Sequence, residues 1–119
     1  MTKNSQEKYS LADCREFEQL LIQKRKEADE LLEDMLSSLK RHDTLEDGAE
    51  SEEIEQISQF ATRQRKFIKE IEAALLRIRN GTYGVCIITG KLISKERLKV
   101  VPHTRYSFAA KISDKDVVR

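Results

Sequence analysis

Apolar residues recur along two stretches of the chain at alternating steps of three and four, the period of a coiled-coil seam. The first register is Cys14, Phe17, Leu21, Lys24, Ala28, Leu31, Met35 and Ser38; the second is Ile54, Ile57, Ala61, Gln64, Ile68, Ile71, Leu75 and Ile78. In an antiparallel helix pair, facing residues have numbers that sum to a constant. Here 14 with 78, 17 with 75, 21 with 71, 31 with 61, 35 with 57 and 38 with 54 all give 92. One hairpin satisfies every pair. At ~1.5 Å per residue, two helices of about 30 residues form a rod roughly 45 Å long. Such a rod is too thin to enclose a substrate pocket along most of its length, so function is expected at its ends.

Local signals bound these helices. Ser10 is the expected N-cap of the first, with Asp13 adding negative charge to its first turn, and the helix is expected to run to about Arg41. The turn HDTLEDGAE holds Gly48, the only glycine before residue 81, and Ser51 with Glu52 and Glu53 suits the start of the second helix. Asn80-Gly81, directly after the last seam residue, marks its end. Two seam positions are polar: Lys24 can snorkel, and Gln64 can hold register at some cost in stability.

From Gly81 the pattern changes to short segments broken by turn residues, which predicts a compact knob at the base of the rod. Tyr83, Val85, Ile88, Leu92 and Ile93 bracket turns at Gly84 and Thr89-Gly90, as in a short β-hairpin or knuckle. Pro102 interrupts the chain, and Thr104 is the expected cap of a terminal helix carrying Tyr106, Phe108, Ala109 and Ile112. The predicted fold is thus mainly α: an antiparallel coiled-coil hairpin over residues 1–80, with its tip near 42–50, and a zinc-ribbon-like knob with a short C-terminal helix over 81–119.

Composition sharpens this picture. Charged residues are 36% of the 119 and the formal net charge is +1, an average that hides a strong polarity. Residues 42 to 62 carry Asp43, Glu46, Asp47, Glu50, Glu52, Glu53 and Glu55, while all 22 Lys and Arg side chains lie elsewhere. The rod has an acidic tip and a basic base, a dipole suited to steering the protein into a complementary field. The start, MTKNSQEKYS, lacks the apolar stretch of a signal peptide, and no segment approaches the ~18 apolar residues of a membrane span, so a cytoplasmic protein without membrane contact is expected. Two cysteines far apart make no disulfide framework. No Ser/His/Asp set, phosphate loop or metal cluster supports an enzyme.

The knob has the layout of a four-cysteine zinc ribbon, in which two C-x-x-C pairs converge on one ion. Cys86 holds the first ligand position, but Thr89, Ser107 and Ala110 hold the other three. One thiolate does not make a zinc site. A metal-free knob is expected, with Ile87, Ile88, Val100, Tyr106 and Phe108 filling the space of the ion.

At these residues the chain resembles the DksA/TraR family of bacterial transcription factors, whose signature follows a coiled-coil hairpin with Y/F-G-x-C-x-x-C-G-x-x-I and then R-L-x-x-x-P. The matching elements are Tyr83-Gly84-Val85-Cys86, Gly90, Ile93, Arg97-Leu98 and Pro102, with spacing preserved. The resemblance covers about residues 11 to 112 and looks like a cysteine-poor, zinc-free branch. It implies a regulator that inserts its coiled coil into the secondary channel of RNA polymerase, so that the acidic tip approaches the catalytic centre, without binding specific DNA. The family's tip motif D-x-x-D-x-A-A is matched by Asp43 and Ala49; Glu46 and Gly48 depart from it, and Asp47 lies between them. Many members respond to guanosine tetraphosphate (ppGpp), the effector of the stringent response. The basic positions this implies are Arg63, Lys66 and Lys111, whereas Glu70 and Val101 stand where basic residues are expected.

A competing reading is a coiled-coil scaffold or dimerisation module without polymerase binding, in which the seam pairs between chains. Leu20, Ile22, Leu32, Leu36, Leu39, Phe60 and Phe67 flank the seam and need cover. The polymerase reading expects a monomer.

Overall fold

The computed structural model describes residues 8–45 and 51–111. Two long helices, α1 (Leu11–Leu45) and α2 (Ser51–Asn80), form a hairpin in a molecule measuring 67 × 36 × 21 Å. Ser10 caps α1 as its sequence position implies: its side-chain oxygen accepts from the Asp13 N–H at 3.1 Å and its carbonyl from the Cys14 N–H at 2.9 Å. The helix continues four residues beyond Arg41, because nothing between His42 and Leu45 breaks it and the first glycine comes only at Gly48. The exit from α2 is a Schellman motif. Gly81 turns at φ 78°, its N–H bonds the Ile78 carbonyl at 3.3 Å, and the Thr82 N–H reaches the Arg77 carbonyl at 2.9 Å.

The helix register agrees with the sequence pairing. Leu21 and Ile71 meet in the core and Cys14 and Ile78 share the wall of one shallow pocket, while near the other end Ile54 shares a pocket wall with Leu39, the neighbour of its expected partner Ser38. Ala28 and Ala61 are buried farther along, where small side chains let the helices approach. The seam expectation fails at Leu31, which is exposed along with Ile22 and Leu36, because a two-helix rod has only one facing surface to offer. Lys24 and Gln64 are half-buried. Arg25 and Glu72 bridge the helices at 3.3 Å.

The main core sits at the base of the rod, where the two helices meet the C-terminal segment. Phe17, Leu21, Ile71 and Ala74 pack with Tyr83, Cys86, Ile93, Leu98 and Ala110. Each large apolar side chain fully removed from water here contributes about 1.5–3 kcal/mol. Tyr83 donates its hydroxyl to the Pro102 carbonyl at 2.7 Å within this core. Tyr9, ahead of α1, closes one side: its ring packs edge-on to Phe17 and its hydroxyl donates to the Ile93 carbonyl. The sequence reading missed Tyr9, since a single aromatic outside a periodic stretch carries no pattern.

A knuckle follows α2. The Val85–Leu92 antiparallel bridge is the only β pairing among the described residues, with the Cys86 N–H bonding the Lys91 carbonyl and the Ile93 N–H bonding the Gly84 carbonyl, both at 2.8 Å. A short helix, α3 (Lys95–Val100), comes next and was not anticipated. Ser94 caps it by accepting from the Arg97 N–H at 3.2 Å, a signal that SKER followed by Pro102 does carry.

Two expectations about the knob are corrected. Thr104 does not cap the terminal helix: it is buried, and its hydroxyl accepts from the Tyr106 N–H at 3.2 Å. Ser107 is the cap of the helical turn at 108–111, accepting from the Ala110 N–H at 3.1 Å. Nor do Ile87, Ile88, Val100 and Phe108 fill the knob; they are 54%, 61%, 75% and 65% exposed, and Tyr106 is half-buried. Cys86, Ile93, Leu98, Pro102 and Ala110 occupy the interior instead. Ile87, Ile88 and Phe108 lie between the paired positions of the two knuckle loops, where the tight backbone turns direct side chains outward.

Candidate functional site: a basic cleft at the base of the rod

A cleft of about 640 Å³ lies between α2 and the segment running from α3 to Lys111. Its far wall is the stretch 103–106, which two arginines hold in place. Arg77 on α2 donates to the carbonyls of His103 at 3.2 Å and Thr104 at 3.4 Å, and Arg97 on α3 donates to the Tyr106 carbonyl at 2.8 Å and the Thr104 hydroxyl at 3.4 Å. Burial, and secondarily the nearby Arg105 charge, pull the Arg77 pKa below its ordinary value. These contacts occupy Arg77 and Arg97 as structural ties.

The remaining cations are free of such duty. Lys66 and Lys69 project from α2, one turn and less from Glu70, while Arg105 and Lys111 come from the opposite wall. Among the described residues none of these four is ion-paired with a carboxylate. Arg105 and Lys111 lie over the Tyr106 ring, 5.5 and 5.4 Å from its centroid. Uncompensated cations around an aromatic surface suit an anion with several charges, above all a phosphorylated one.

The cleft brings together Lys66 and Lys111 from the sequence expectation, with Glu70 and Val101 beside them. Arg63 is outside its lining and lies over Phe60, at 5.6 Å. Lys69, Arg77, Arg97, Arg105 and Tyr106 were not singled out for it. Their convergence depends on how 103–106 folds back onto α2, which no local spacing encodes. Of the tip residues, Asp43 falls in the last turn of α1, and Glu46, Asp47, Gly48 and Ala49 lie outside the described residues.

The other site to weigh is the ribbon centre. The structure brings the positions of Cys86, Thr89, Ser107 and Ala110 together: the backbone amides of Ser107, Thr89 and Ile88 and the Thr89 hydroxyl favour the Cys86 thiolate, and Ala110 joins the same core. Burial raises the Cys86 pKa, but these donors outweigh it and bring the thiol down to about 6. Cys14 is shifted the other way, upward, by burial and by Asp13 and Glu18. Among the described residues no three His, Cys, Asp or Glu side chains gather as metal ligands. A single sulfur whose surroundings are donors does not fit a four-thiolate zinc ion.

Comparison with known proteins agrees with this architecture. Residues 81–113 match the family described as the prokaryotic dksA/traR C4-type zinc finger. The chain is 40% identical over 52 residues to general stress protein 16O of Bacillus subtilis, covering 44% of this chain and 32% of that protein. It is 34% identical over 86 residues to the RNA polymerase-binding transcription factor DksA of Caulobacter vibrioides, covering 71% of this chain and 61% of the relative. The matches thus span a third to three fifths of these curated relatives. Among solved structures, transcription factor DksA2 from Pseudomonas aeruginosa superimposes with a TM-score of 0.84 at 27% identity, covering 91% of this chain and 87% of that one. With the hairpin, the knuckle and the ribbon geometry in the same order, the chain belongs to the DksA/TraR family.

Proposed function

We propose that this protein is a non-enzymatic regulator of bacterial transcription that binds RNA polymerase through its secondary channel. The rod enters the channel with Asp43 and the acidic residues after it, Glu46 and Asp47, directed at the active centre, and the basic base stays at the channel mouth. The observation that carries this reading is the match to a DksA-type fold over 91% of the chain, together with an acidic end and a basic end in the required order. The cleft holding Lys66 and Lys111 then faces polymerase and is suited to a polyphosphorylated effector such as guanosine tetraphosphate. The knob is proposed to fold without zinc, its interior filled by Ile93, Leu98 and Ala110 around Cys86.

Pull-down of core RNA polymerase by the tagged protein, followed by transcription in vitro from a responsive promoter with and without the nucleotide, tests this reading. Binding with altered initiation is expected; absence of binding overturns it. The exposure of Ile22, Leu31 and Leu36 on α1 supports a second reading, a dimerisation module. Sedimentation decides between them, since a dimer at micromolar concentration favours the scaffold and a monomer favours the polymerase ligand.

A further inference from the structure

Among the described residues, Glu70 is the one acidic side chain lining the basic cleft. Its partner is not one of the cleft's free cations but His103, whose Nε2 lies 3.6 Å from Glu70 Oε1. The imidazole is fixed in place. Phe67 packs edge-on against it with centroids 4.9 Å apart, Arg77 holds its backbone carbonyl, and its Nδ1 is sealed from solvent without a hydrogen-bond partner. Burial keeps the ring below its ordinary pKa, with Glu70 opposing that shift and Arg77 and Lys24 adding to it. Near neutral pH the ring is therefore uncharged, and the Glu70 charge is not spent in an ion pair.

We infer that Glu70 is the specificity-determining residue of this cleft: an anion on one of its walls that weakens binding of highly charged phosphate ligands more than singly charged ones. The inference rests on the reading of the cleft as an anion site. A carboxylate in the cleft repels each phosphate in proportion to its charge, so the discrimination grows with the number of negative charges that enter the cleft. A Lys or Arg at this position would act in the opposite sense.

The test is calorimetric titration of the full chain and of Glu70→Gln with inorganic tripolyphosphate and with orthophosphate, at neutral pH and fixed ionic strength. Glu70 is half exposed, so the substitution leaves the fold in place, which thermal unfolding verifies. Glu70→Gln should bind tripolyphosphate roughly tenfold more tightly than the parent, with a clearly smaller gain for orthophosphate. Lys66→Gln in either background should lower both affinities. Equal affinities of parent and Glu70→Gln for tripolyphosphate would overturn the inference while leaving the anion cleft standing. No binding by either protein at millimolar concentration would overturn both.

Discussion

A methyl group on Gly84 would stand 2.5 Å from Cδ2 and 2.8 Å from Cε2 of Tyr9, closer than non-bonded carbons approach. The knuckle turn and the residue ahead of α1 are thus in direct contact, with Gly84 at φ 82°. Gly84→Ala is expected to destabilise the protein by about 1–3 kcal/mol, combining left-handed backbone strain with displacement of the Tyr9 ring. Tyr9→Leu should cost stability alone, yet the double variant should lose less than the sum, since the clash is then relieved. Thermal or denaturant unfolding of the three variants reads this coupling, and strict additivity would show that the contact carries no energy.

Side chains at the knob separate sharply by position. Phe108→Ala should cost less than about 1 kcal/mol because the ring is 65% exposed, whereas Ile93→Ala, at a position with no exposure, should cost about 2–5 kcal/mol. Denaturant midpoints at constant slope measure the difference. A large loss at Phe108 would mean that the ring is covered in solution.

Cys86 should titrate about pH 6, visible as thiolate ultraviolet absorbance that disappears in Cys86→Ser. The sign for stability follows from linkage. The folded-state pKa of about 6 lies below the ordinary thiol value of 9.0, so the stabilisation is fully present above 9.0 and is lost as pH falls toward and through 6. The melting temperature of the parent relative to Cys86→Ser should therefore rise across that window. A pH-independent difference would show that the thiol stays protonated in the folded protein.

Metal dependence is a separate test of the ribbon centre. Chelator treatment should leave the melting temperature unchanged, because Thr89, Ser107 and Ala110 supply no thiolates beside Cys86. Stoichiometric zinc in protein purified without added metal would refute the proposed metal-free knob.

At the tip, Asp43→Asn removes one charge from the last turn of α1, where the helix dipole disfavours an acid, so stability should change by no more than about 0.5 kcal/mol. On the proposed function, polymerase binding survives and regulation of a responsive promoter falls far more than affinity. Glu46→Gln should act in the same direction, more weakly. Unaltered regulation by Asp43→Asn would reduce the acidic tip to a solvated turn.

The hairpin was legible in the chain because seam spacing, caps and a glycine stop are local or periodic signals, and two registers summing to 92 leave one antiparallel pairing. Ser10 and Asn80-Gly81 bounded the helices for the same reason. The knuckle's spacing was equally readable and led to the family. What the tertiary structure alone decided is which apolar residues of the knob face inward. Ile87, Ile88 and Phe108 are as hydrophobic as Ile93 and Leu98, but in a segment without a regular period the direction of a side chain is set by turn geometry and by the surface it meets. The cleft was half legible: the family resemblance marked Lys66 and Lys111, while Arg77 and Arg97 became its frame only because 103–106 folds back onto α2 and α3 and leaves backbone carbonyls that need donors.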